Sequence, residues 1–583
     1  MPAHTGASRR VSRQSQRRRT ARWVGITVAV VLVALIGAGV WLGLKVLTVR
    51  NELMAAQASL SGLRDGDAEQ GLTVMAEHGA RAAEATDSLV WTAAEYVPWA
   101  GDNLRAARLA AETLDALAGG LGVPALNALK SDSDDPMLTR VLPVLQSSAP
   151  RVHELNAQLQ DVGRSDSLVS QLRGPIEQVA EVMGTVDPVL QVLPGMLGAD
   201  GERNYLLVGQ SNAETLALGG SAASQSLLHV SDGELKIVKQ ADSKQYQWGV
   251  HADVEIDQSA LDLYNEYLIN NVNTAVGRPD WPTAARTIIA LWHRDIDPEP
   301  VDGAVSIDPL AMARIMRATG PVTVDGRELT SDNVVAFLLS DAYELYEPGE
   351  SGEVDGIFKE VAVAVMDSVV EGDFDPGALV SAVRDSIDAG SLMFWSADPE
   401  IQEMITPWRL SGVLPASNLP DTVVGVYFRD ASLGSKIDYY MRTEAEVTAT
   451  CNIDGTVTYD VSATVGLDLT KDKARTLSSY VTGGDVETKI YRTQVFLYGP
   501  PGTKVTERLG ETDRDKAWKW RALDMEDLGR PTPSFMTVNP LGGETVTVGA
   551  RFTGPATETG PLDAWTTPMV HPTKVTVDDS CSR

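Results

Sequence analysis

The chain has 583 residues, of which 43% are apolar and 22% charged, and it carries a formal net charge of −30 at pH 7. Its length exceeds what one hydrophobic core serves and predicts three or four domains, at roughly 150 residues each. A chain this acidic is repelled by phosphate backbones, which argues against nucleic acid as a partner.

The N-terminal region has the pattern of a membrane anchor. Residues 1–22 form a basic tail with seven arginines and no acidic residue, and residues 23–44 read WVGITVAVVLVALIGAGVWLGL. Because about 20 apolar residues cross a hydrocarbon core of ~30 Å, residues 23–44 are predicted to be a transmembrane helix. The alternatives are a cleaved signal peptide, whose apolar region is usually about 7–15 residues, and a buried core helix.

The same region predicts the orientation of the chain. Arginine-rich flanks stay in the cytoplasm, so we expect a single-pass cell-membrane protein with a cytoplasmic N-terminus and the bulk of the chain extracellular. No other stretch of the sequence matches residues 23–44 in length and apolarity. Residues 1–45 contain eight basic and no acidic residues, so the exterior carries a formal charge of −38.

The exterior divides into three regions by periodicity. Residues 45–195 have apolar residues three and four apart, which predicts antiparallel helices in a bundle or stalk, interrupted at VPWAGDN, GGLGVP and SDSDDP. Residues 196–420 alternate strand-like and helix-like segments, which predicts an α/β domain. Residues 421–583 contain six strand-like runs with turn signals between them, which predicts an antiparallel β-sandwich. The predicted fold class is therefore multidomain α+β.

Local signals place several elements of the α/β domain. NYLLVG reads as a buried strand, and SLLHVSDGELKIVKQ as a hairpin that turns at Asp232-Gly233. VDGAVSID predicts a strand, and PLAMARIMRATG a helix capped by Asp308 and ended by Gly320. TSDNVVAFLLSDAYELY predicts a further helix, capped by Thr330 or Ser331.

The segment NAETLALGGSAAS, residues 212–224, is predicted to be a loop between two strands. Its glycines indicate that backbone approaches a phosphate, a metal or another strand. No Lys or Arg lies between Arg203 and Lys236, which disfavours a phosphate, so the glycines are expected to pass close to the neighbouring hairpin or to line a cleft. The candidate cleft or loop residues are Asn212, Glu214, Gly219 and Gly220.

Two further groups of residues have alternative interpretations. Asp253, Glu255 and Asp257 alternate on an extended stretch and can face one way, either as a divalent-cation site or as a solvated strand face. Cys451 and Cys581 both follow strand-like runs in the exported part, where a disulfide can form, and two unpaired thiols are the alternative.

The order of these parts resembles a family of uncharacterised Gram-positive envelope proteins catalogued as domain of unknown function 4012. The blocks that carry the resemblance are YVPWAGDNLRAARLAAE, ERNYLLVGQSNAETLALGG with VSDGEL, and VDGAVSIDPLAMARIMRATGPVTVDGRELTSDNVV. The resemblance covers nearly everything after the anchor. Where that family's loop often has an arginine and an aromatic residue, this chain has Leu216 and Ser221.

The α/β part is also similar, more distantly, to the LytR-CpsA-Psr family, which transfers lipid-linked glycopolymers onto peptidoglycan. That resemblance implies a phosphotransfer site with a metal-binding carboxylate and arginines that neutralise a pyrophosphate. Here Gln225 stands where the hairpin-entry Asp would fall, and Ala241 precedes Asp242 and Ser243 where an Arg-Asp-Thr sequence would require arginine. Only Asp242 and Ser243 correspond to residues of that phosphotransfer site.

The later arginine-rich segment of those relatives falls near ELYEPGESGEVDGIFKE, which is acidic here and predicts a solvated loop. Its carboxylates are Glu344, Glu347, Glu350, Glu353 and Asp355.

These departures favour a non-catalytic protein over an enzyme. We expect a membrane-anchored extracytoplasmic scaffold or binding module of the cell envelope, whose ligand is a cell-wall glycopolymer or another envelope protein. The alternative is a divergent LytR-CpsA-Psr-like phosphotransferase that attaches lipid-linked glycopolymer to the cell wall. No catalytic residue, metal site or cofactor is predicted, apart from the divalent cation left open above.

Overall fold

A computed structural model describes residues 38–58, 68–98, 100–131, 133, 135–345, 351–371, 374–432, 434–509, 525–556 and 559–581. The chain forms two compact units. One comprises the described residues of Met1–Ser133 and Val141–Pro194, and the other those of Asp134–Arg140 and Gly195–Arg583. The finer domain limits drawn from the sequence stay predictions.

The N-terminal part of the chain is helical. Its helices are α1 (38–58), α2 (Ala68–Thr86), α3 (Leu89–Ala94), α4 (Gly101–Leu114), α5 (Val123–Leu129), α6 (Met137–Gly163) and α7 (Ser170–Met196). The prediction that GGLGVP interrupts a helix is wrong. Asp115–Gly122 has π-helical geometry and joins α4 to α5 without a break.

Neighbouring helices in the first unit run antiparallel. Later residues of α6 contact earlier residues of α7: Gln160 contacts Ala180, whereas Ala149 contacts Gln191. The same holds for α4 and α6, where Arg105 pairs with Asp161 at 3.0 Å and Glu112 pairs with Arg151 at 2.6 Å. Apolar residues at helical spacing therefore bury against neighbouring helices.

The predicted anchor lies largely outside the described residues. Residues 38–44 begin α1, and the side chains of Val40 and Leu44 are exposed there. One helix of the described part, Gly101–Leu129, is long and apolar enough to cross a membrane. The helix also ion-pairs Arg108 with Glu95 at 2.7 Å, as a bundle helix does.

The α/β part of the second unit is built on a mixed five-stranded sheet of order β3-β2-β1-β4-β7. Strand β1 pairs antiparallel with β2 and parallel with β4. The strands of this part are β1 (Arg203–Leu216), β2 (Gly219–Ser231), β3 (Glu234–Asp242), β4 (Gly303–Ile307) and β7 (Leu392–Ser396), with a small hairpin of β5 (Val322–Val324) and β6 (Arg327–Leu329). The helices are α8 (Gln258–Tyr264), α9 (Tyr267–Asn270), α10 (Trp281–Asp295), α11 (Pro309–Thr319), α12 (Val334–Leu339), α13 (Ser351–Glu371), α14 (Pro376–Asp388) and α15 (Pro399–Ile405).

Most of the turns and helix caps predicted from the local sequence are present in the structure. Asp232 and Gly233 turn the β2–β3 hairpin with φ of 49° and 78°, and the Asp308 carboxylate caps α11 by accepting from Ala311 N at 2.9 Å. The predicted cap of α12 is wrong. Helix α12 begins at Val334 behind Asn333, and the amide oxygen of Asn333 turns back to accept from Thr330 N.

The acidic segment predicted as a loop is in part helical. Glu344 ends the 3-10 helix Asp341–Glu344, and Glu353 and Asp355 fall in α13. Glu347 and Glu350 lie outside the described residues.

The C-terminal part contains two sheets, ordered β12-β16-β10-β9-β18 and β15-β11-β8-β17. Both contribute to one buried apolar cluster, in which Phe428 of one sheet and Val461 of the other are fully buried. The pairs β17–β8 and β18–β9 are parallel, so the expectation of wholly antiparallel strands is wrong. The strands are β8 (Thr422–Asp430), β9 (Met441–Cys451), β10 (Thr456–Leu467), β11 (Arg492–Tyr498), β12 (Lys504–Leu509), β13 (Glu526–Asp527), β14 (Arg530–Pro531), β15 (Ser534–Val538), β16 (Thr545–Pro555), β17 (Leu562–Thr566) and β18 (Lys574–Asp579), with short helices α16 (Lys471–Ala474) and α17 (Ser479–Thr482).

The parallel pairing of β18 with β9 aligns the two cysteines. Asp579 lies opposite Ala449, so two residues further along each segment Cys581 comes beside Cys451 at the end of β9. A disulfide joins them with a Cα–Cα distance of 5.4 Å. The bridge ties the end of the described chain to the sheet.

Candidate functional site

The segment predicted as a glycine-rich loop is the end of the β1–β2 hairpin. Residues 212–216 belong to β1 and residues 219–224 to β2, which leaves Ala217 and Leu218 as the turn. The loop prediction is therefore wrong. Small and polar side chains run along both strands here, and they are buried or half-buried instead of exposed.

A bulge explains the glycines. Ser211 pairs with Ser221, but the next pair along β1 is Thr215 with Gly220, so residues 212–214 bulge out of the ladder. A Cβ on Gly220 would lie 2.0 Å from the carbonyl oxygen of Ser211. Gly220 therefore approaches the backbone of the neighbouring strand, the third of the three alternatives.

Asn212 leaves the ladder to contact the start of α11. Its Nδ2 donates to Asp308 Oδ2 at 3.0 Å and to the carbonyl oxygen of Pro568 at 3.2 Å. Burial raises the pKa of Asp308, although hydrogen bonds from Asn212 and Ala311 N act in the opposite direction. Gly219 closes over this pair, since a Cβ there would lie 3.4 Å from Asn212 Nδ2.

Glu214 forms an ion pair with Lys436 of the C-terminal part. Its carboxylate contacts Lys436 Nζ and accepts from Ser221 Oγ at 2.5 Å. Lys436 Nζ also lies over the rings of Tyr343 and Tyr480, at 5.4 and 5.6 Å from their centroids. The side chains of Lys436 and Glu214 are 12% and 27% exposed, so solvent screens the pair only in part.

The pKa of each partner moves toward the charged form. Desolvation acts to raise the pKa of Glu214, but the charge and hydrogen bond of Lys436, with the hydrogen bond from Ser221, bring it below its ordinary value. Desolvation acts to lower the pKa of Lys436, but the charge and hydrogen bond of Glu214, together with Tyr343 and Tyr480, outweigh it and raise that pKa. Both groups are therefore charged at neutral pH.

Two carboxyl groups of the C-terminal part lie beside this pair. Thr215 N donates to Asp438 Oδ2 at 2.9 Å, and Ser432 N donates to Asp430 Oδ1 at 2.8 Å. Burial raises the pKa of Asp430 to about 6. Burial, followed by the charge of Asp430, raises the pKa of Asp438 well above its ordinary value. We call Glu214, Lys436, Asp430 and Asp438 the buried charge cluster.

Asp242 and Ser243 do not join these residues. Asp242 ends β3 on the far side of β2, where it lies opposite Ser224. Its carboxylate caps the 3-10 helix Ser243–Gln245 by accepting from Lys244 N at 3.0 Å, and it pairs with Lys359 Nζ at 3.3 Å. The structure therefore brings together Asn212, Glu214, Gly219 and Gly220, and places Asp242 and Ser243 elsewhere.

The residues that complete the charge cluster carry no local sequence signal. Lys436 and Asp438 lie more than 200 positions from Glu214, beyond the reach of any periodicity or motif. Tyr343 lies near the end of a helical segment, where an aromatic residue is expected to belong to the core. To find these residues, one would have to know which distant segments of the chain contact each other.

A separate open groove lies along residues 253–257. Its cavity volume is about 590 Å³, and the side chains of Asp253, Glu255 and Asp257 line one wall. The three acidic residues are exposed, whereas Val254 and Ile256 are half-buried and pack against buried clusters, and all five line the groove. Within the described ranges no group of three acidic, His or Cys side chains has the arrangement to hold a metal ion.

The opposite wall is one face of α10. Thr283, Arg286, Ala290 and His293 line the groove at steps of three and four residues, as one face of a helix does. Ile289 and Trp395 supply apolar surface, and Ile289 is nearly buried. The helical spacing of these four residues is visible in the sequence. Their position beside residues 253–257 is not.

Comparison with known proteins gives one family. Residues 200–343 match the family model described as a protein of unknown function, DUF4012. This segment is similar to the DUF4012 family. The match contains the hairpin end, residues 253–257 and α10, but it is narrower than the resemblance expected over nearly the whole exterior.

Other comparisons add little to the DUF4012 assignment. No curated protein matches the chain. A solved crystal structure, the transcriptional regulator yvhJ from Bacillus subtilis, is similar at 13% identity over 35% of this chain and 76% of that chain, with a TM-score of 0.21. A likeness of that size carries no argument about fold or function.

Proposed function

We propose that this DUF4012 protein is a membrane-anchored extracytoplasmic component of the cell envelope. In this proposal it acts as a non-catalytic scaffold or binding module for a wall glycopolymer or another envelope protein. The basic tail at 1–22 and the apolar run at 23–44 support the anchor and its orientation. The bridge between Cys451 and Cys581 suits an oxidising compartment.

The observation that supports a non-catalytic role is that polar side chains at the end of the β1–β2 hairpin make structural contacts. Glu214 pairs with Lys436, and Asn212 Nδ2 donates to the carbonyl oxygen of Pro568, so both side chains contact the C-terminal part of the same unit. Asn212 Nδ2 also donates to Asp308 within the α/β part. These contacts support a structural role for the hairpin end.

The positions of the distant phosphotransferase resemblance support the same conclusion. Ala241, which stands where arginine would be required, is fully buried, and Gln225 opposite it is buried as well. A guanidinium clamp for a pyrophosphate has no counterpart at these two positions.

Protease accessibility of the full chain in cells tests the location. Protease added to intact, wall-stripped cells is expected to degrade the chain beyond Lys45 and to leave a tag on the N-terminus protected, because the arginine-rich flank stays inside. Protection of the bulk of the chain with loss of the N-terminal tag would overturn the orientation. Recovery of a soluble secreted protein that starts after residue 40 would overturn the anchor.

A further inference from the structure

We propose that the disulfide between Cys451 and Cys581 is a redox switch, which an external dithiol opens in the folded protein to release strand β18 from its sheet. The bridge joins the end of β9 to the chain just after β18. This modification site is separate from the hairpin end and goes beyond the proposed binding role, because its chemistry requires neither a glycopolymer nor an envelope protein.

Both cysteines are accessible to solvent, although to different degrees. Cys451 is exposed and Cys581 is half-buried. A cavity of about 250 Å³ adjoins the bridge, and Cys581, Asp579 and Tyr459 are among the residues that line it. Thiol–disulfide exchange requires a thiolate to reach one of the two sulfurs, so access decides whether a bridge reacts in a folded protein. The more exposed residue, Cys451, is the expected point of attack.

The exchange takes two steps and balances with the dithiol as the reductant. One thiolate of the dithiol attacks Cys451 Sγ, the bond between Cys451 and Cys581 breaks, and Cys581 leaves as a thiolate. The second thiolate of the dithiol then attacks the dithiol sulfur that is bound to Cys451, and Cys451 leaves as a thiolate. The dithiol is oxidised to its own disulfide, and the two cysteines take up the two protons that the dithiol has lost.

Strand β18 is held to its sheet with little burial of its side chains. It lies at the edge of the order β12-β16-β10-β9-β18, so it has a hydrogen-bonded neighbour strand on one side only. Val575 and Val577 are each 39% exposed, although Ala445 and Val447 opposite them are buried. Burial of apolar surface is what normally offsets the entropy cost of ordering a segment. The bridge therefore supplies much of the restraint that packing supplies in the other strands.

The side-chain hydrogen bonds at this end of β18 lie next to the bridge. Asp579 Oδ2 accepts from Leu562 N at 3.0 Å, and Ser580 Oγ donates to the carbonyl oxygen of Ala449 at 2.7 Å. Both residues lie within two positions of Cys581, so they move with the segment that the bridge restrains. Opening of the bridge then releases β18 and leaves the outer edge of β9 with unpaired backbone groups.

Hydrogen exchange of the purified full chain in detergent tests the switch, with dithiothreitol as the dithiol. After reduction in native buffer, we expect the amides of residues 574–579 to exchange at least about tenfold faster than in the oxidised chain. Strand β12, at the opposite edge of the same sheet, is the internal control and should exchange as before. The double variant Cys451→Ser with Cys581→Ser should show the same pattern without dithiothreitol, and dithiothreitol should not change it further.

Thiol titration of the native and the denatured chain after the same treatment measures access to the bridge. A bridge that dithiothreitol reduces only after denaturation would overturn the proposal, because the sulfurs would then be closed to a thiol. Unchanged protection of residues 574–579 in the reduced chain and in the serine variant would overturn it too, as would loss of protection throughout β9, β10 and β16. None of these readouts depends on location or ligand, so failure here leaves the protease test of the proposed envelope role standing.

Discussion

At the residue scale, the pair of Glu214 and Lys436 connects the two parts of the second unit. Removal of the lysine leaves a half-buried carboxylate without its partner, at a cost between that of an exposed pair and that of a fully buried one. We expect Lys436→Met to lower the free energy of unfolding by about 1–2 kcal/mol. Glu214→Gln in the same chain should restore part of the loss, because the unpaired charge disappears.

The matched control for this cycle is an exposed ion pair. Lys574 and Glu444 are 3.7 Å apart with more than half of each side chain exposed, so Lys574→Met should change stability little. Chemical denaturation of the full chain in detergent measures all the variants. Equal losses in Lys436→Met and Lys574→Met, or additive losses in the double variant, would show that the Glu214 pair does not fasten the unit.

At the element scale, the bulge in β1 depends on a close backbone approach that only glycine allows. Gly220→Ala places a methyl group 2.0 Å from the Ser211 carbonyl oxygen, so one strand must shift. We expect a loss of about 1–3 kcal/mol, as for other overpacked sites. Gly356→Ala in α13, where a Cβ would meet nothing within 4 Å, should be neutral or slightly stabilising.

Thermal unfolding of both glycine variants measures this difference. Similar melting temperatures for Gly220→Ala and the wild type would mean that the bulge is not constrained as described. The comparison is direct because both glycines belong to the second unit.

The same elements show what local sequence could predict. The turn at Asp232-Gly233 and the cap at Asp308 were predictable because turn geometry and capping involve neighbouring residues. The bulge at 212–214 was not, because Glu214 and Asn212 contact Lys436 and Pro568, which lie far along the chain. Long-range pairing likewise made β18 parallel to β9, which no strand pattern encodes.

At the scale of the whole molecule, we propose that the chain is an acidic binding module held at the membrane. The open groove along residues 253–257 and the buried charge cluster are separate features of the second unit. In this proposal the charge cluster contributes to stability and takes no part in a reaction.

The central claim is therefore that the DUF4012 region binds without catalysis. Its most direct test is incubation of the purified full chain with magnesium and a polyprenyl-pyrophosphate-linked oligosaccharide, with product release followed over time. We expect neither cleavage nor tight binding, because an anionic headgroup would lose hydration and gain no arginine clamp. Turnover that is lost in Asp242→Asn and kept in the control Asp332→Asn would contradict the account and assign phosphotransfer to this protein.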